Sequence, residues 1–312
     1  MKTILLLGGY GFLGTNIIKY IDAHLHLREQ FRVIVFDKYN DHPRGITFQS
    51  VVNTYAGDFV DCAILKKVFE ENKIDLVFHS LSTTIPVSSH NARYDVETNL
   101  LPTLDVLNLM VAYEVRDIVY MSSGGAVYGV CAGRVHSEND DVFPVSSYGV
   151  VKLAIEKYLM QYAQLFGVKP LIIRLSNPYG PYHYGMKQGV INVALAKALK
   201  GERMDVWGAG DGLKDYVYVE DFVDILFALL RLNVSSEVIN IASGQLLSVN
   251  DIVGEVRTLV PSFVVRHVEA DKFDASQFAL DTTKLHQLIG DYKFCSIQDG
   301  MQKTYQWTKS II

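Results

Sequence analysis

Residues 2–14 read KTILLLGGYGFLG. Lys2–Leu7 is a short, almost wholly apolar run bounded by glycines, the pattern of a strand covered on both faces. Gly8, Gly11 and Gly14 follow as G-x-x-G-x-x-G, and Phe12–His24 carries a helical periodicity. A strand that turns through glycines into a helix gathers free N–H groups and the positive end of the helix dipole at one point. Small residues there let a pyrophosphate approach the backbone. The spacing also fits a plain strand–helix turn, so the glycines alone leave both readings open.

The next apolar run, Arg32–Phe36, ends at Asp37. A carboxylate in that place accepts hydrogen bonds from both adenosine ribose hydroxyls and repels a 2′-phosphate, which favours NAD over NADP. Lys38 works against this, since a cation there can meet a 2′-phosphate. Gly57-Asp58 precedes the third helix, where the carboxylate can reach the adenine amino group or act as a helix cap. Further strands at 76–79, 117–121 and 170–174 alternate with helices at 62–71, 95–113 and 148–166. Apolar strands alternating with helices mean βαβ units and a parallel sheet. The expected fold is α/β: a doubly wound parallel sheet of Rossmann type that binds NAD, with a smaller α+β C-terminal substrate domain. After Arg174 the pattern loosens into a Gly-, Tyr- and Pro-rich segment, and strands at Tyr216–Val219 and Val238–Ile241 are expected to return to the sheet. The dinucleotide domain is therefore 1–176 plus about 216–242, and the substrate domain 177–215 plus about 243–312.

Composition sets the limits. The chain has 312 residues, 49% hydrophobic and 20% charged, enough to bury a sizeable core. Its net charge of −5 argues against nucleic-acid binding, which leaves a basic footprint. No apolar run reaches the roughly 18–20 residues that span a bilayer, so no membrane partner is expected. The N-terminus lacks a basic n-region and a small-residue cleavage site. Cys62, Cys131 and Cys295 are far apart and lack metal spacing, as do the nine histidines. No metal site is expected, and a cytoplasmic location fits the cysteine usage.

Tyr148 and Lys152 stand four apart near the start of a periodic helix, after Pro144, Ser146 and Ser147, which can start and cap it. That spacing puts the phenol and the ammonium on one face. The ammonium should then lower the tyrosine pKa from about 10 toward a value useful for acid–base work. A packed tyrosine and a solvated lysine would share the pattern. The pair becomes informative beside the glycine turn and Ser122-Ser123 at the end of an intervening strand.

At this point the chain resembles the extended short-chain dehydrogenase/reductases of the NAD-dependent epimerase/dehydratase group. The resemblance rests on GGYGFLG (8–14), Asp37, Gly57-Asp58, SSGGAVYG (122–129) and YGVVK (148–152), in that order. It continues through RLSNPYGP (174–181), VWGAGDGLKDYVYVED (206–221), NIASGQLLSV (240–249) and LDTTKL (280–285), and so covers nearly the whole chain. It implies cofactor contacts for Gly8, Gly11, Phe12, Leu13, Gly14, Asp37, Lys38, Asp58, Phe59, Ser122, Tyr148 and Lys152. It implies tightly held NAD and a nucleotide-diphosphate sugar as substrate. Tyr148 would exchange a proton with the sugar 4-hydroxyl, and Lys152 would hold the nicotinamide ribose. The implied activity is a nucleotide-sugar 4-epimerase of the UDP-glucose/UDP-galactose type, working through a transient 4-keto intermediate. The alternatives are a nucleotide-4-keto-sugar reductase on the same scaffold and a catalytically weak dinucleotide-binding regulator.

The resemblance further implies that Asn177 donates to the diphosphate, and that Lys214 stands where the family usually has an arginine on it. A turn-forming role for Asn177 stays open. Asn99 matches a position near the nicotinamide, with a helix hydrogen bond as its alternative. Three features depart from the family. Gly124 occupies the place of the substrate-binding Ser or Thr, leaving Ser123 or Ser122 to supply the hydroxyl. The C-terminal R-x-x-D signature reads Asp271-x-x-Asp274, with Lys272 and Arg266 nearby. Phe278 is bulky at a position linked to excluding N-acetyl sugars. Gly125 and Ala126 replace the Asp-Glu pair of the related 4,6-dehydratases, which argues against elimination. Trp207 and Tyr216 either stack on a nucleobase or simply pack, and His79 reads as a core residue. Helices 95–113 and 148–166 have apolar residues on more than one face; the resemblance implies an intersubunit bundle in a homodimer, and burial against the sheet is the alternative.

Overall fold

A computed structural model describes residues 1–85, 91–129, 133–269 and 277–312. Cys131, Asp271, Lys272 and Asp274 lie outside the described residues. In chain order the strands are β1 (Lys2–Leu7), β2 (Phe31–Asp37), β3 (Val51–Ala56), β4 (Leu76–His79), β5 (Asp117–Met121), β6 (Val135–His136), β7 (Lys169–Leu175), β8 (Asn177–Tyr179), β9 (Met204–Trp207), β10 (Leu213–Tyr218), β11 (Glu237–Ile241), β12 (Leu246–Leu247), β13 (Val265–Val268) and β14 (Gln277–Leu280). The helices are α1 (Phe12–Ala23), α2 (Leu25–Gln30), α3 (Cys62–Glu71), α4 (Ala92–Asp95), α5 (Leu101–Ala112), α6 (Gly124–Val127), α7 (Ser147–Phe166), α8 (Val190–Leu199), α9 (Val219–Arg231), α10 (Val249–Leu259), α11 (Thr283–Ile289) and α12 (Ile297–Ile311). A π-helical turn, Val96–Leu100, joins α4 to α5.

The central sheet has seven strands in the order β11-β7-β5-β4-β1-β2-β3. β1 pairs in parallel with β2 and β4, and β5 with β4 and β7. Helices flank the sheet, so the fold is Rossmann-like. β1 shows why this order follows from the sequence: Leu5, Leu6 and Leu7 are all completely buried. Burying a leucine is worth roughly 1.5–3 kcal/mol, and consecutive leucines bury together only when both faces of a strand are covered. Val33–Phe36 on β2 repeat the pattern.

The chain divides into two compact units: residues 1–127, 144–174 and 230–239 form the first, and 128–143, 175–229 and 240–312 the second. The first has a core of sheet and helix side chains that includes Leu5, Phe36, Val77, Leu107, Tyr120 and Ile155. The second has its own core around Tyr179, Leu195, Tyr218, Ile252 and Met301. Its five-stranded sheet runs β12-β10-β14-β6, with β8 also on β10, and β9 and β13 form a separate parallel pair. The strand expected at 216–219 therefore departs from expectation. It starts at Leu213 and pairs with β8, β12 and β14, not with the central sheet. Only Glu237–Ile241 makes that return. Among the described residues no helix is long and apolar enough to cross a membrane.

The glycine turn after β1 is sterically required. Gly8 has φ +80°, and a Cβ on Gly14 would lie 2.6 Å from the carbonyl oxygens of both Gly8 and Gly9. Those contacts are backbone and cannot rotate away. Gly14→Ala should destabilise the protein by about 1–3 kcal/mol, the usual cost of overpacking, measured as a lower melting temperature and denaturation midpoint; an unchanged melt would contradict this packing.

Candidate active site

α7 carries the central residues. Ser146 caps it by accepting from the Gly149 amide at 3.1 Å, and Gly167 closes it in the left-handed conformation. This start sets Tyr148 in the first turn and Lys152 one turn later on the same face. Lys152 is buried, and its Nζ donates to the Met121 carbonyl at the end of β5, 2.7 Å away. The ammonium lies 5.6 Å from the centre of the Tyr148 ring and 4.9 Å from that of Tyr120. Ser123, just beyond β5, brings its hydroxyl close enough to the Tyr148 phenol to lower that group's pKa, and its Oγ accepts from the Ala126 amide at 3.3 Å. Tyr148, Lys152 and Ser123 thus come together. Gly124, also in the first unit, opens α6 and carries no side chain to compete.

Electrostatics here differ from the expectation that the ammonium lowers the phenol. Burial pushes Tyr148 up to about 12, against a smaller opposing effect of the Ser123 hydrogen bond. Burial also pushes Lys152 down to about 8, opposed by the Glu156 carboxylate. Each group is removed from water, and desolvation disfavours both charged forms more than Ser123 favours the one and Glu156 the other. The Ser122 hydroxyl is turned elsewhere, to Glu156 Oε1 at 2.5 Å. Glu156 receives Arg174 as well, at 3.1 Å and 2.7 Å. This buried pair was not singled out from the sequence, although Glu156 follows Lys152 and Tyr148 at a spacing of four and eight, a legible helical stripe.

Other first-unit candidates surround the glycine turn. Asp37 is buried at the end of β2 and accepts from the Tyr10 amide at 3.0 Å; burial raises its pKa. Phe12, Leu13 and Gly14 open α1, whose N-cap is Gly11 without a side-chain cap. Lys38 turns its ammonium over the Tyr39 ring, 5.0 Å from the centre. Asp58 does not cap α3. That role falls to Asp61, which accepts from Ala63 and Ile64, while Asp58 is exposed and holds the Val60 amide. Phe59 is a core residue against Phe36. Asn99 sits in the π-helical turn and ties the loop after β4, accepting from the Thr83 amide at 2.8 Å and donating to Thr83 Oγ1 at 2.7 Å. The chemistry and space fit a dinucleotide. A Cβ would fill the turn at Gly14, and a buried carboxylate beside it, Asp37, is an acceptor suited to ribose hydroxyls. Among the described residues no cluster of His, Cys, Asp and Glu could hold a metal ion.

The second unit holds the remaining candidates on adjacent strands. Asn177 on β8 pairs with Tyr216 on β10, and Lys214 on β10 pairs with Phe278 on β14. Asn177 Nδ2 donates to the Asp215 carbonyl at 2.7 Å, which leaves the second amide proton as its remaining donor. Phe278 is only 7% exposed and stacks on His136, which stacks in turn on Tyr128. Trp207 and Tyr216 separate: the first is 61% exposed and the second 5%, inside the core. Arg266 is engaged, forming a bidentate pair with Asp205 at 3.0 Å.

A parallel sheet with a glycine turn after its first strand and a buried carboxylate at the end of its second defines a dinucleotide-binding protein of Rossmann type. The chain matches the model of the NAD dependent epimerase/dehydratase family over residues 4–242 and belongs to that family, which makes NAD its cofactor. A Methanocaldococcus jannaschii protein, provisionally assigned as a UDP-glucose 4-epimerase, is 32% identical over 261 residues, 80% of this chain and 79% of that one. A dTDP-4-dehydro-6-deoxyglucose reductase of Escherichia coli is 26% identical over 311 residues, 96% of this chain and 95% of its own. Among solved structures, UDP-glucose 4-epimerase of Thermotoga maritima with UDP-glucose is similar at a TM-score of 0.88 and 26% identity, over 99% of each chain.

His79, on β4 beside this site, is wholly buried, bonds Thr103 Oγ1 at 2.9 Å, and is pushed down by burial to about 3 from 6.5. Below pH 6.5 the unfolded chain takes up a proton that the folded protein refuses. Stability is therefore full above about 6.5 and lost as pH falls toward 3, by an amount on the order of a few kcal/mol. Denaturation midpoints measured across that range should fall with pH, and His79→Gln should flatten the slope.

Proposed function

We propose that this enzyme is an NAD-dependent nucleotide-sugar 4-epimerase of the UDP-glucose/UDP-galactose type. The observation that carries the reading is the buried Tyr148–Lys152 pair on one face of α7, with Lys152 anchored on the Met121 carbonyl and the Ser123 hydroxyl close enough to lower the phenol's pKa. Ser123 supplies the hydroxyl that Gly124 lacks, so the site keeps an acid–base and a second donor for one sugar oxygen. Gly125 and Ala126 offer no carboxylate, and Glu156 is engaged by Arg174, which favours a reaction needing a single proton acceptor over elimination.

When bound, NAD supplies the hydride acceptor and donor for C4 and a positive nicotinamide charge. Asp37 accepts from the adenosine ribose and the α1 N-terminus receives the pyrophosphate. Lys152 holds the nicotinamide ribose. Tyr148 Oη, once ionised to the phenolate by the positive charge beside it, takes the proton of the 4-hydroxyl as C4 becomes a ketone, and returns it after the keto sugar has presented its other face. Ser123 Oγ holds the 4-oxygen through both half-reactions. Burial keeps water from the phenol and makes its charged form dependent on nearby positive charge. Asn177 and Lys214 meet the diphosphate, Lys214 with a single point charge where an arginine would bind by two parallel bonds. We infer a homodimer as well: α5 and α7 expose Leu101, Val150, Tyr158, Leu165 and Phe166.

Purified protein incubated with UDP-glucose or UDP-galactose should bring both to one equilibrium mixture without consuming added NADH. The similarity to the Escherichia coli reductase favours a second reading, 4-keto reduction; stoichiometric NADH loss with a keto sugar, and no interconversion, would establish that reading instead. Tyr148→Phe should lower kcat by about 10³-fold, and Ser123→Ala by about 10²-fold, with the fold intact by circular dichroism. Near-normal turnover in either variant would remove that residue from the mechanism.

A further inference from the structure

Glu156 is buried on α7, and the roles above leave it unassigned. Its carboxylate accepts from Ser122 Oγ (2.5 Å) and Arg174 Nε (3.1 Å) through one oxygen, and from Arg174 Nη2 (2.7 Å) through the other. Arg174 comes from β7, the strand beside β5, and is buried too. A buried pair of this kind seldom adds stability over an apolar pair of the same volume, because the desolvation of two charges offsets their attraction. Its position accounts for it better. We propose that Glu156, held by Arg174, is a positioning residue for the Tyr148–Ser123–Lys152 site, seating Ser122 and keeping Lys152 charged; the proposal rests on the reading of Tyr148 as the acid–base.

Ser122 is fixed from two sides. Its N–H donates to the Ile173 carbonyl at 2.9 Å and its hydroxyl to Glu156. Neighbouring side chains on an extended backbone point to opposite faces, so holding Ser122 toward Glu156 turns Ser123 toward Tyr148. The second effect is electrostatic. The titratable groups facing Lys152 are Tyr148 and Glu156 from α7, Tyr120 from β5 and His79 from β4. Burial keeps both tyrosines and the histidine neutral at pH 7. Among the described residues facing the ammonium, Glu156 is thus the anion that opposes its loss of charge. The bidentate grip of Arg174 holds the carboxylate in place, so the ammonium stays on the Met121 carbonyl.

The test is direct titration. Protein carrying lysine labelled with ¹³C at Cε is followed by NMR from neutral to alkaline pH, with the Lys152 signal assigned by its loss in Lys152→Met. The double variant Glu156→Gln/Arg174→Gln removes both charges and leaves amides that can still hydrogen-bond. Glu156 follows Lys152 by one turn on α7 and is the charge that acts on it, so the Lys152 midpoint should fall by roughly one unit or more. An unchanged midpoint in a folded double variant overturns the electrostatic role. Seating is tested in parallel by a cycle that needs neither charged residue altered. Ser122→Ala should lower turnover about tenfold in the wild type and cause no further loss in Ser123→Ala, because it acts through Ser123; independent, multiplying losses overturn it. The NMR titration uses no substrate. An unshifted lysine in a protein that interconverts UDP-sugars therefore defeats this proposal alone, and a shifted lysine in a protein without that activity defeats the epimerase reading alone.

Discussion

The site depends on one buried contact, the hydrogen bond from Lys152 Nζ to the carbonyl of Met121. It joins the longest helix of the first unit to the end of a central strand at the point where the chain leaves the sheet. With that contact made, helical spacing puts Tyr148, Lys152 and Glu156 on one face of α7, and Glu156 takes up Ser122. An ammonium out of water must be compensated. A single neutral carbonyl does so only partly, and the nearby carboxylate of Glu156 adds to it. The arrangement is thereby sensitive to the charges around it.

That sensitivity suits the chemistry proposed. A phenol raised to about 12 and an ammonium lowered to about 8 describe two groups that burial drives toward neutrality. Water would weaken every interaction among them through its high dielectric; in its absence a neighbouring charge moves the balance strongly. The adjoining polar residues are held rigidly for the same reason. Ser122, Asn99 and Arg174 each have defined partners, and His79 is neutral on Thr103.

Much of the first unit was legible because its strands are apolar on both faces and its helices are periodic. Lys2–Leu7, Leu76–His79, Asp117–Met121 and Cys62–Glu71 stand where the pattern puts them. β3 was not, since Val51–Ala56 lies at the sheet edge, buries only Tyr55 and lacks a continuous apolar run. Tyr216–Val219 looked like a central strand for the opposite reason. Its apolar content is equally satisfied by the second sheet, and sequence alone does not say which sheet a buried strand joins. Asp58 and Asp61 show the same limit at short range: either could cap α3, and the local turn selects Asp61.

The sequence by itself determined the glycine turn, the acidic end of β2, and the spacing that puts Tyr148 and Lys152 on one face. These are local constraints, set by sterics and by helix and strand geometry within a few residues. Tertiary structure alone decided which of two adjacent serines meets Tyr148, that Asn177 donates to the Asp215 carbonyl, and that Glu156 and Arg174 close a pair behind the site. It also decided that burial, rather than the ammonium, dominates the phenol. Each of these depends on what surrounds a group in space, and desolvation in particular has no counterpart in spacing along the chain.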